Sequence, residues 1–159
     1  MARSNVVFRV DATDASDQRL DVEIEVEAPF TASSLKLSFP RWVPGSYFLR
    51  EPIQHVSHLQ ATDGEGNSLN VVRKDVDSIV IKDVSSLDKV CIRYKLLCVE
   101  NTVRSNHLDD THLHMMPPFT WFLPTSGIDP KRMNETHIVE FTLPSVSYTH
   151  LRAHETTNY

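Results

Sequence analysis

Three histidines and two aspartates lie within eight residues of one another in the second half of the chain. They are His107, Asp109, Asp110, His112 and His114. Imidazole nitrogens and carboxylate oxygens are ligands that zinc binds in proteins. In an extended segment, His112 and His114 would lie on the same face and could hold one ion together. The alternative is a polar loop at a domain edge, because ligand types without geometry do not define a site. We therefore predict no metal site, and keep His107, His112 and His114 as candidate ligands.

The stretch from Arg41 to Arg50 reads RWVPGSYFLR and crowds aromatic residues, proline, glycine and two arginines into ten positions. Pro44 has a fixed φ and no N–H, and Gly45 can adopt a positive φ, so the pair predicts the centre of a type II turn. Arg41 and Arg50 flank the turn, and each guanidinium can bind a carboxylate through two hydrogen bonds. The composition predicts a rigid aromatic loop, unlike the Ser-, Asn- and Asp-rich segments of ordinary connections.

Other side chains are candidates for binding, each with a structural alternative. Ser46 has no GxSxG context or neighbouring His-Asp pair that would mark a nucleophile, so we expect its hydroxyl to stabilise the turn. Arg50 and Arg104 are candidates for lining a cleft, and the alternative is that they hold turns through backbone carbonyls. Aromatic side chains can form a platform for a sugar or peptide, although core packing is the alternative for these as well. The aromatic candidates are Trp42, Tyr47, Phe119, Trp121 and Phe122.

The aromatic loop also carries a resemblance to a known family. The run Trp42-Val43-Pro44-Gly45-Ser46-Tyr47, followed by Leu49-Arg50 and then His55-Val56, resembles the N-terminal domain of the glycyl aminopeptidase family. Weaker similarity continues through Asp63-Gly64, Val103-Arg104 and Leu108-Asp109, and covers most of residues 6–143. Members of this family are zinc metallopeptidases with a β-rich N-terminal domain, a thermolysin-like catalytic domain and often a PDZ domain.

The resemblance implies that this chain is a non-catalytic domain of a zinc aminopeptidase, a hydrolase. Such enzymes hold zinc with an HExxH motif, whose glutamate acts as the general base for a zinc-bound water. The nearest string is His154-Glu155-Thr156-Thr157-Asn158, where Asn replaces the second His. We therefore expect no catalytic residue, no cofactor and no peptidase activity in this chain, and zinc in the intact parent enzyme.

The same resemblance implies the partners and the site. The partners would be a missing catalytic domain of the same chain and, in the intact enzyme, a peptide substrate. Residues expected at this interface or at the substrate cleft are Trp42, Pro44, Gly45, Ser46, Tyr47, Arg50 and Arg104. Two alternatives stay open, namely a stand-alone β-sandwich module that binds a peptide or glycan, and a purely structural scaffold.

Charge and composition exclude several classes of function. The formal net charge of −5 argues against nucleic acid or an anionic membrane surface as a partner. No apolar run is long enough to span a bilayer, and the first residues lack the apolar core of a signal peptide, so we expect a cytoplasmic protein. Cys91 and Cys98 are predicted on opposite faces of one strand, about 20 Å apart, which is too far for a disulfide.

Alternation of apolar and polar residues predicts β-strands along most of the chain. The clearest run is 20–28, in which four aliphatic residues alternate with acidic residues that we expect on a solvated outer face. The other predicted strands are 6–10, 35–39, 53–61, 68–73, 78–82, 89–99 and 136–143, with a hairpin turn at 63–67 and an irregular segment at 101–127. Helical periodicity is almost absent. We therefore predict an all-β fold over residues 5–144, an antiparallel β-sandwich or a curved open sheet.

The last residues do not follow this pattern. Residues 146–156 read VSYTHLRAHET and resemble the in-frame translation of a transposase-end sequencing adapter. We therefore expect residues 145–159 to be a non-native tail on a truncated fragment, and leave them out of the fold prediction.

Overall fold

The computed structural model of the protein describes residues 5–145, and within them β-strands form nearly all of the regular structure. The strands are β1 Val6–Asp11, β2 Arg19–Glu27, β3 Ser34–Ser38, β4 Val56–Asp63, β5 Ser68–Leu69, β6 Val71–Arg73, β7 Ser78–Lys82, β8 Lys89–Leu97, β9 His107–Leu108, β10 Leu113–His114, β11 Leu123–Ser126 and β12 Ile138–Thr142. One helical turn, α1, spans Pro130–Met133, and two 3₁₀ turns span Pro52–His55 and Pro117–Phe119. The predicted all-β fold with almost no helix is confirmed.

The larger sheet has six strands in the order β12-β1-β2-β8-β4-β5. Strand β2 lies inside it and pairs antiparallel with β1 on one side and with β8 on the other. Its alternation places Leu20, Val22, Ile24 and Val26 on the inner face, where each side chain is almost completely buried. The acidic residues of β2 face outward, as the period of two requires.

The smaller main sheet has four strands in the order β11-β3-β7-β6, and all its neighbours are antiparallel. Leu35 and Leu37 of β3 and Ile79 and Ile81 of β7 belong to the same buried cluster as the inner face of the larger sheet. Aromatic contacts join the two sheets, because the ring of Tyr94 on β8 lies 6.4 Å from that of Phe39, directly after β3. The core therefore fills the space between two facing sheets, as in a sandwich.

The structure corrects the single return strand predicted at 68–73. Residues Ser68–Leu69 pair with β4 in the larger sheet, whereas Val71–Arg73 pair with β7 in the smaller one. The chain therefore crosses between the sheets at Asn70. The sequence did not reveal this crossing, because the two short strands are separated by a single residue. They therefore look like one continuous strand in the apolar pattern.

Two further differences concern the second half of the chain. The segment 101–127, predicted to be irregular, contains the β9–β10 hairpin and strand β11. The predicted last strand is present as β12, but it pairs parallel with β1, so the six-stranded sheet is mixed. Helices long and apolar enough to cross a bilayer do not occur in residues 5–145.

Both cysteines are free and buried, on opposite faces as predicted. Cys98 follows β8 and lies in the core, where burial raises the pKa of its thiol to about 12. Cys91 lies on the outer face, with its Sγ 3.9 Å from Oε2 of Glu25. Burial, followed by the charge of Glu25, raises the pKa of the Cys91 thiol as well. A raised thiol pKa lowers the fraction of thiolate, the nucleophilic form, at neutral pH.

Candidate interface loop and arginine cleft

The turn at Pro44-Gly45 has the geometry that its sequence predicts. Gly45 has φ of +82°, the left-handed value that the third position of a type II turn requires. The N–H of Ser46 donates to the carbonyl of Val43 at 3.1 Å and closes the turn. An added Cβ on Gly45 would contact nothing within 4 Å, so glycine is needed here for its backbone conformation alone.

Ser46 and Trp42 stabilise the turn from its two sides. Ser46 is buried, its hydroxyl donates to the carbonyl of Phe48 at 3.0 Å, and the N–H of Phe48 donates back to that hydroxyl at 3.3 Å. The indole Nε1–H of Trp42 donates to the carbonyl of Ser46 at 2.8 Å. The Ser46 hydroxyl therefore stabilises the turn, as its sequence context predicts.

The two ends of the loop are joined at its base. The N–H of Arg50 donates to the carbonyl of Arg41 at 2.7 Å, and Nε of Arg41 donates to the carbonyl of Arg50 at 3.4 Å. The Arg41 guanidinium also makes an ion pair with Glu51 at 3.3 Å. The loop between these residues is therefore a closed unit held by its own hydrogen bonds, as in a compact Ω-loop.

Four large apolar side chains of this loop are exposed, and we call them the aromatic tip: Trp42, Tyr47, Phe48 and Leu49. Tyr47 is the extreme case, with 95% of its surface accessible, and the other three are 53–72% exposed. Isolated exposed apolar residues are common on protein surfaces, but several large ones on a single short loop are typical of an interaction site.

The structure separates the aromatic candidates into two groups. Phe119, Trp121 and Phe122 are buried, and the rings of Phe39 and Phe122 lie 4.1 Å apart in the core. Trp121 packs on Phe8 at 5.6 Å. The five aromatic candidates therefore do not form one platform. Of these five, Trp42 and Tyr47 are exposed to a partner.

The structure brings Arg50 and Arg104 to the same place. Both are half-buried and line one cleft of about 60 Å³, and we call it the arginine cleft. Its remaining lining residues are Glu51, Pro52, Gln54, His55, Leu97, Glu100, Ser105, Asn106 and Phe119. Neither guanidinium donates to a backbone carbonyl within residues 5–145, so the alternative role in holding turns does not apply to them. Arg132 has that role instead, because it is buried and donates to the carbonyl of Pro29 at 2.8 Å.

Sequence reasoning missed Asn106, which organises one wall of the arginine cleft. Its Oδ1 accepts from the N–H of Met116 at 2.7 Å and from the hydroxyl of Thr120 at 3.2 Å. Its Nδ2 donates to the carbonyl of Phe119 at 3.0 Å. The buried amide thereby holds the proline-containing segment before β11. A single Asn in a polar stretch carries no pattern that could have revealed this role.

The candidate metal ligands are only partly brought together. His107, Asp109 and His112 have ligand atoms within 4.8 Å of one another, whereas Nδ1 of His114 bonds instead to the carbonyl of Ser105 at 3.0 Å. Oδ1 of Asp109 already accepts from the N–H groups of Thr111 and His112 at 2.8 and 2.9 Å. These bonds are those of a hydrogen-bonded turn. In metal sites the ring nitrogen of histidine that does not bind the metal usually donates to an acceptor, but Nδ1 of His107 is buried without a partner in the described residues. The cluster therefore fits zinc poorly.

Ion pairs account for the acidic face of β2. Glu23 accepts from Arg9 at 2.8 Å and from Arg93 at 2.6 Å, so both neighbouring strands contribute a cation. Arg9 also forms an ion pair with Glu140 on β12 at 2.6 Å. The outer face is solvated, as predicted, and its acidic residues are paired within the sheet instead of being available to a basic partner.

Comparisons with known proteins agree with this fold. A crystal structure of an aminopeptidase N family protein from Idiomarina loihiensis is similar with a TM-score of 0.76 and 20% sequence identity, over 88% of this chain and 22% of that chain. A search of curated proteins found no match. The fold is therefore one that also occurs in a protein of the aminopeptidase N family.

The family follows from the sequence itself. The model of the peptidase M61 N-terminal domain matches residues 7–158, nearly the whole chain. The chain belongs to this family, and the predicted resemblance to a peptidase N-terminal domain is confirmed. The present chain spans about a fifth of the length of the similar aminopeptidase structure.

Proposed function

We propose that this chain is the non-catalytic N-terminal β domain of a glycyl-aminopeptidase-like zinc metallopeptidase, and that its aromatic tip packs against the catalytic domain and helps to shape the substrate cleft. The observation that carries the proposal is the exposure of Trp42, Tyr47 and Phe48 on a closed, hydrogen-bonded loop. Aromatic side chains bury large apolar areas and are enriched at the centres of interfaces. Because hydrogen bonds already close the loop backbone, covering these residues should cost little backbone entropy.

The catalytic chemistry belongs, in this proposal, to other parts of the peptidase. The chain has no HExxH motif, and the His107, Asp109 and His112 cluster is occupied by the hydrogen bonds of its own turn. Zinc would be held by the catalytic domain, where it would supply an activated water for hydrolysis of the peptide. This domain would contribute no cofactor and would contact the catalytic domain and the peptide. We further propose that the enzyme is cytoplasmic and binds neither nucleic acid nor membranes.

Two activity measurements test the proposal. The chain alone should not hydrolyse glycyl or alanyl anilides in the presence of zinc, whereas the complete peptidase should. In the complete peptidase, Tyr47→Ala and Phe48→Ala should each lower kcat/KM by about ten-fold, the effect of losing about 1.4 kcal/mol of contact energy. In the chain alone the same changes should alter the free energy of unfolding by less than about 0.5 kcal/mol, because both side chains are exposed.

Val72→Ala is the matched control, because Val72 is another exposed apolar residue, on β6 and outside the loop. It should leave kcat/KM unchanged. The proposal fails if the tip variants unfold the chain while the folded complete enzyme keeps its kcat/KM. A stand-alone binding module, the alternative, would instead bind peptide or glycan through the tip without any catalytic domain.

A further inference from the structure

We propose that the arginine cleft binds a carboxylate group through Arg50 and Arg104. The inference goes beyond the proposed function, because it concerns a binding property of this chain alone. It can therefore hold or fail whatever the role of the aromatic tip.

The first observation is that these two arginines lack partners. Within residues 5–145, each of the other six arginines donates from its side chain to a carboxylate or a carbonyl: Arg9, Arg19, Arg41, Arg73, Arg93 and Arg132. Arg50 and Arg104 make no such bond. Nε of Arg50 is buried without an acceptor, a state that it shares with Nε of Arg19 and of Arg132. Because both side chains line the cleft without an acceptor, a ligand that supplies one would gain charge-assisted hydrogen bonds.

The second observation is that three of the other polar side chains of the cleft are already engaged. Glu51 is paired with Arg41 at 3.3 Å. Ser105 donates from its hydroxyl to the carbonyl of Glu100 at 2.9 Å, and the Asn106 side chain is used in holding the wall. The donors left to a ligand are therefore the two guanidinium groups and the side chains of Gln54 and His55, which also line the cleft and have no hydrogen-bond partner within residues 5–145.

Charge and size select a carboxylate among anions. The cleft also contains the carboxylates of Glu51 and Glu100, which would repel a dianion such as phosphate more strongly than a monoanion. A volume of about 60 Å³ corresponds to roughly four to six water-sized spheres, enough for a carboxylate and its first carbon. The planar guanidinium fork matches a carboxylate with two parallel hydrogen bonds.

A peptide C-terminus and an acidic side chain of a protein partner would both supply this group. The experiment is an NMR titration of the chain at low salt, which follows the Nε–Hε resonances of its arginines. N-acetylglycine represents the C-terminus, and N-acetylglutamic acid α-amide represents the acidic side chain. N-acetylglycinamide is the uncharged control. We expect saturable shifts of the Arg50 resonance with at least one carboxylate and none with the amide, and the stronger of the two identifies the source.

Variants test the two arginines separately. Arg50→Gln and Arg104→Gln should each weaken binding by about ten-fold, as expected for the loss of a charge-assisted hydrogen bond. Arg93→Gln, on the outer face of the larger sheet, should leave it unchanged. Backbone amide spectra will show that each variant is folded, and the titration of the unaltered chain stands whether or not Arg50→Gln folds. The inference is overturned if neither carboxylate gives a saturable shift, if the amide shifts the same resonances equally, or if both variants bind as the original chain does.

Discussion

Gly45 and Gly127 both have a positive φ, but glycine is required at the two positions for different reasons. The two φ angles are +82° and +96°. Around Gly45 the space for a Cβ is empty, whereas a Cβ on Gly127 would overlap the carbonyl oxygen of Ser34 and lie 2.9 Å from Cα of Leu35. The first glycine is required by backbone conformation, and the second by close packing of the chain onto β3 as well.

The two substitutions should therefore differ in cost. Gly45→Ala should lower the free energy of unfolding by about 1 kcal/mol, the cost of placing an L-residue at positive φ. Gly127→Ala should lower it by about 3 kcal/mol or more, because overlap with the backbone of β3 adds to that strain. Urea denaturation of the three proteins measures the difference. Equal costs would mean that the surroundings of Gly127 relax freely.

Asp109 is the second residue whose neighbours determine its behaviour. The Thr111 hydroxyl, the His107 ring and the backbone N–H groups of His112 and Thr111 hold the pKa of the Asp109 carboxyl well below its usual range. The charged form is therefore favoured in the folded state over the unfolded state. Its contribution to stability is present above the ordinary Asp pKa of about 3.9, and is lost as the pH falls below that value.

Asp109→Asn should consequently flatten the acid side of the stability profile. Between about pH 6 and about pH 3, the free energy of unfolding should fall less in the variant than in the original protein. The matched control is Asp110→Asn, because the Asp110 side chain makes no hydrogen bond or ion pair in the described part of the chain. If both variants have the profile of the original protein, the hydrogen bonds to Asp109 do not contribute to acid stability.

At the scale of elements, the two faces of β2 should contribute unequally to the stability of the fold. Its inner face buries Ile24 completely, and its outer face carries Glu23 between Arg9 and Arg93. Burial of an aliphatic side chain removes apolar surface from water at every salt concentration. Partly exposed ion pairs are weakened by counterions and require the ordering of two long side chains.

Ile24→Ala should therefore lower the free energy of unfolding by about 2–5 kcal/mol, whereas Arg93→Ala should lower it by less than about 1 kcal/mol. The cost of Arg93→Ala should shrink further when the salt concentration is raised to about 1 M, and that of Ile24→Ala should not. Denaturation in urea at low and high salt separates the two effects. A large, salt-independent cost at Arg93 would show that its aliphatic part, not its charge, matters.

At the scale of the whole molecule, the end of the chain carries an untested prediction. The sequence of 145–159 resembles a translated adapter, yet the family match extends to residue 158. All but the first of these residues lie outside the described residues. The two observations lead to different expectations for a truncated chain, because a segment never selected for packing adds no stability, whereas a family segment does.

Deletion of residues 146–159 should leave the melting temperature unchanged or slightly raised, if the tail is non-native. Thermal unfolding of the two chains, followed by circular dichroism, measures this. A fall of more than about 4 °C, which corresponds to about 1 kcal/mol in a domain of this size, would show that these residues stabilise the fold. The natural sequence would then extend past Ser145.

The sequence by itself determined the local features of this protein. The alternation from Leu20 to Val26 was sufficient to predict a half-buried strand, because a period of two alone decides which side chains share a face. Pro44-Gly45 was sufficient to predict the turn, since proline fixes φ at its second position and glycine permits the positive φ at its third. The hairpin at 63–67 is explained in the same way, and Oδ1 of Asp63 accepts from the N–H groups of Glu65 and Asn67 at 2.9 Å.

Only the tertiary structure decided which distant residues meet. Arg50 and Arg104 share a cleft because the loop after β3 and the segment after β8 lie side by side, and no local pattern records that proximity. The crossing at Asn70 and the parallel pairing of β12 with β1 also depend on which strands of the two sheets offer an edge for pairing. Local conformation follows from the restrictions on neighbouring residues, whereas these contacts follow from how whole strands pack to bury their apolar faces.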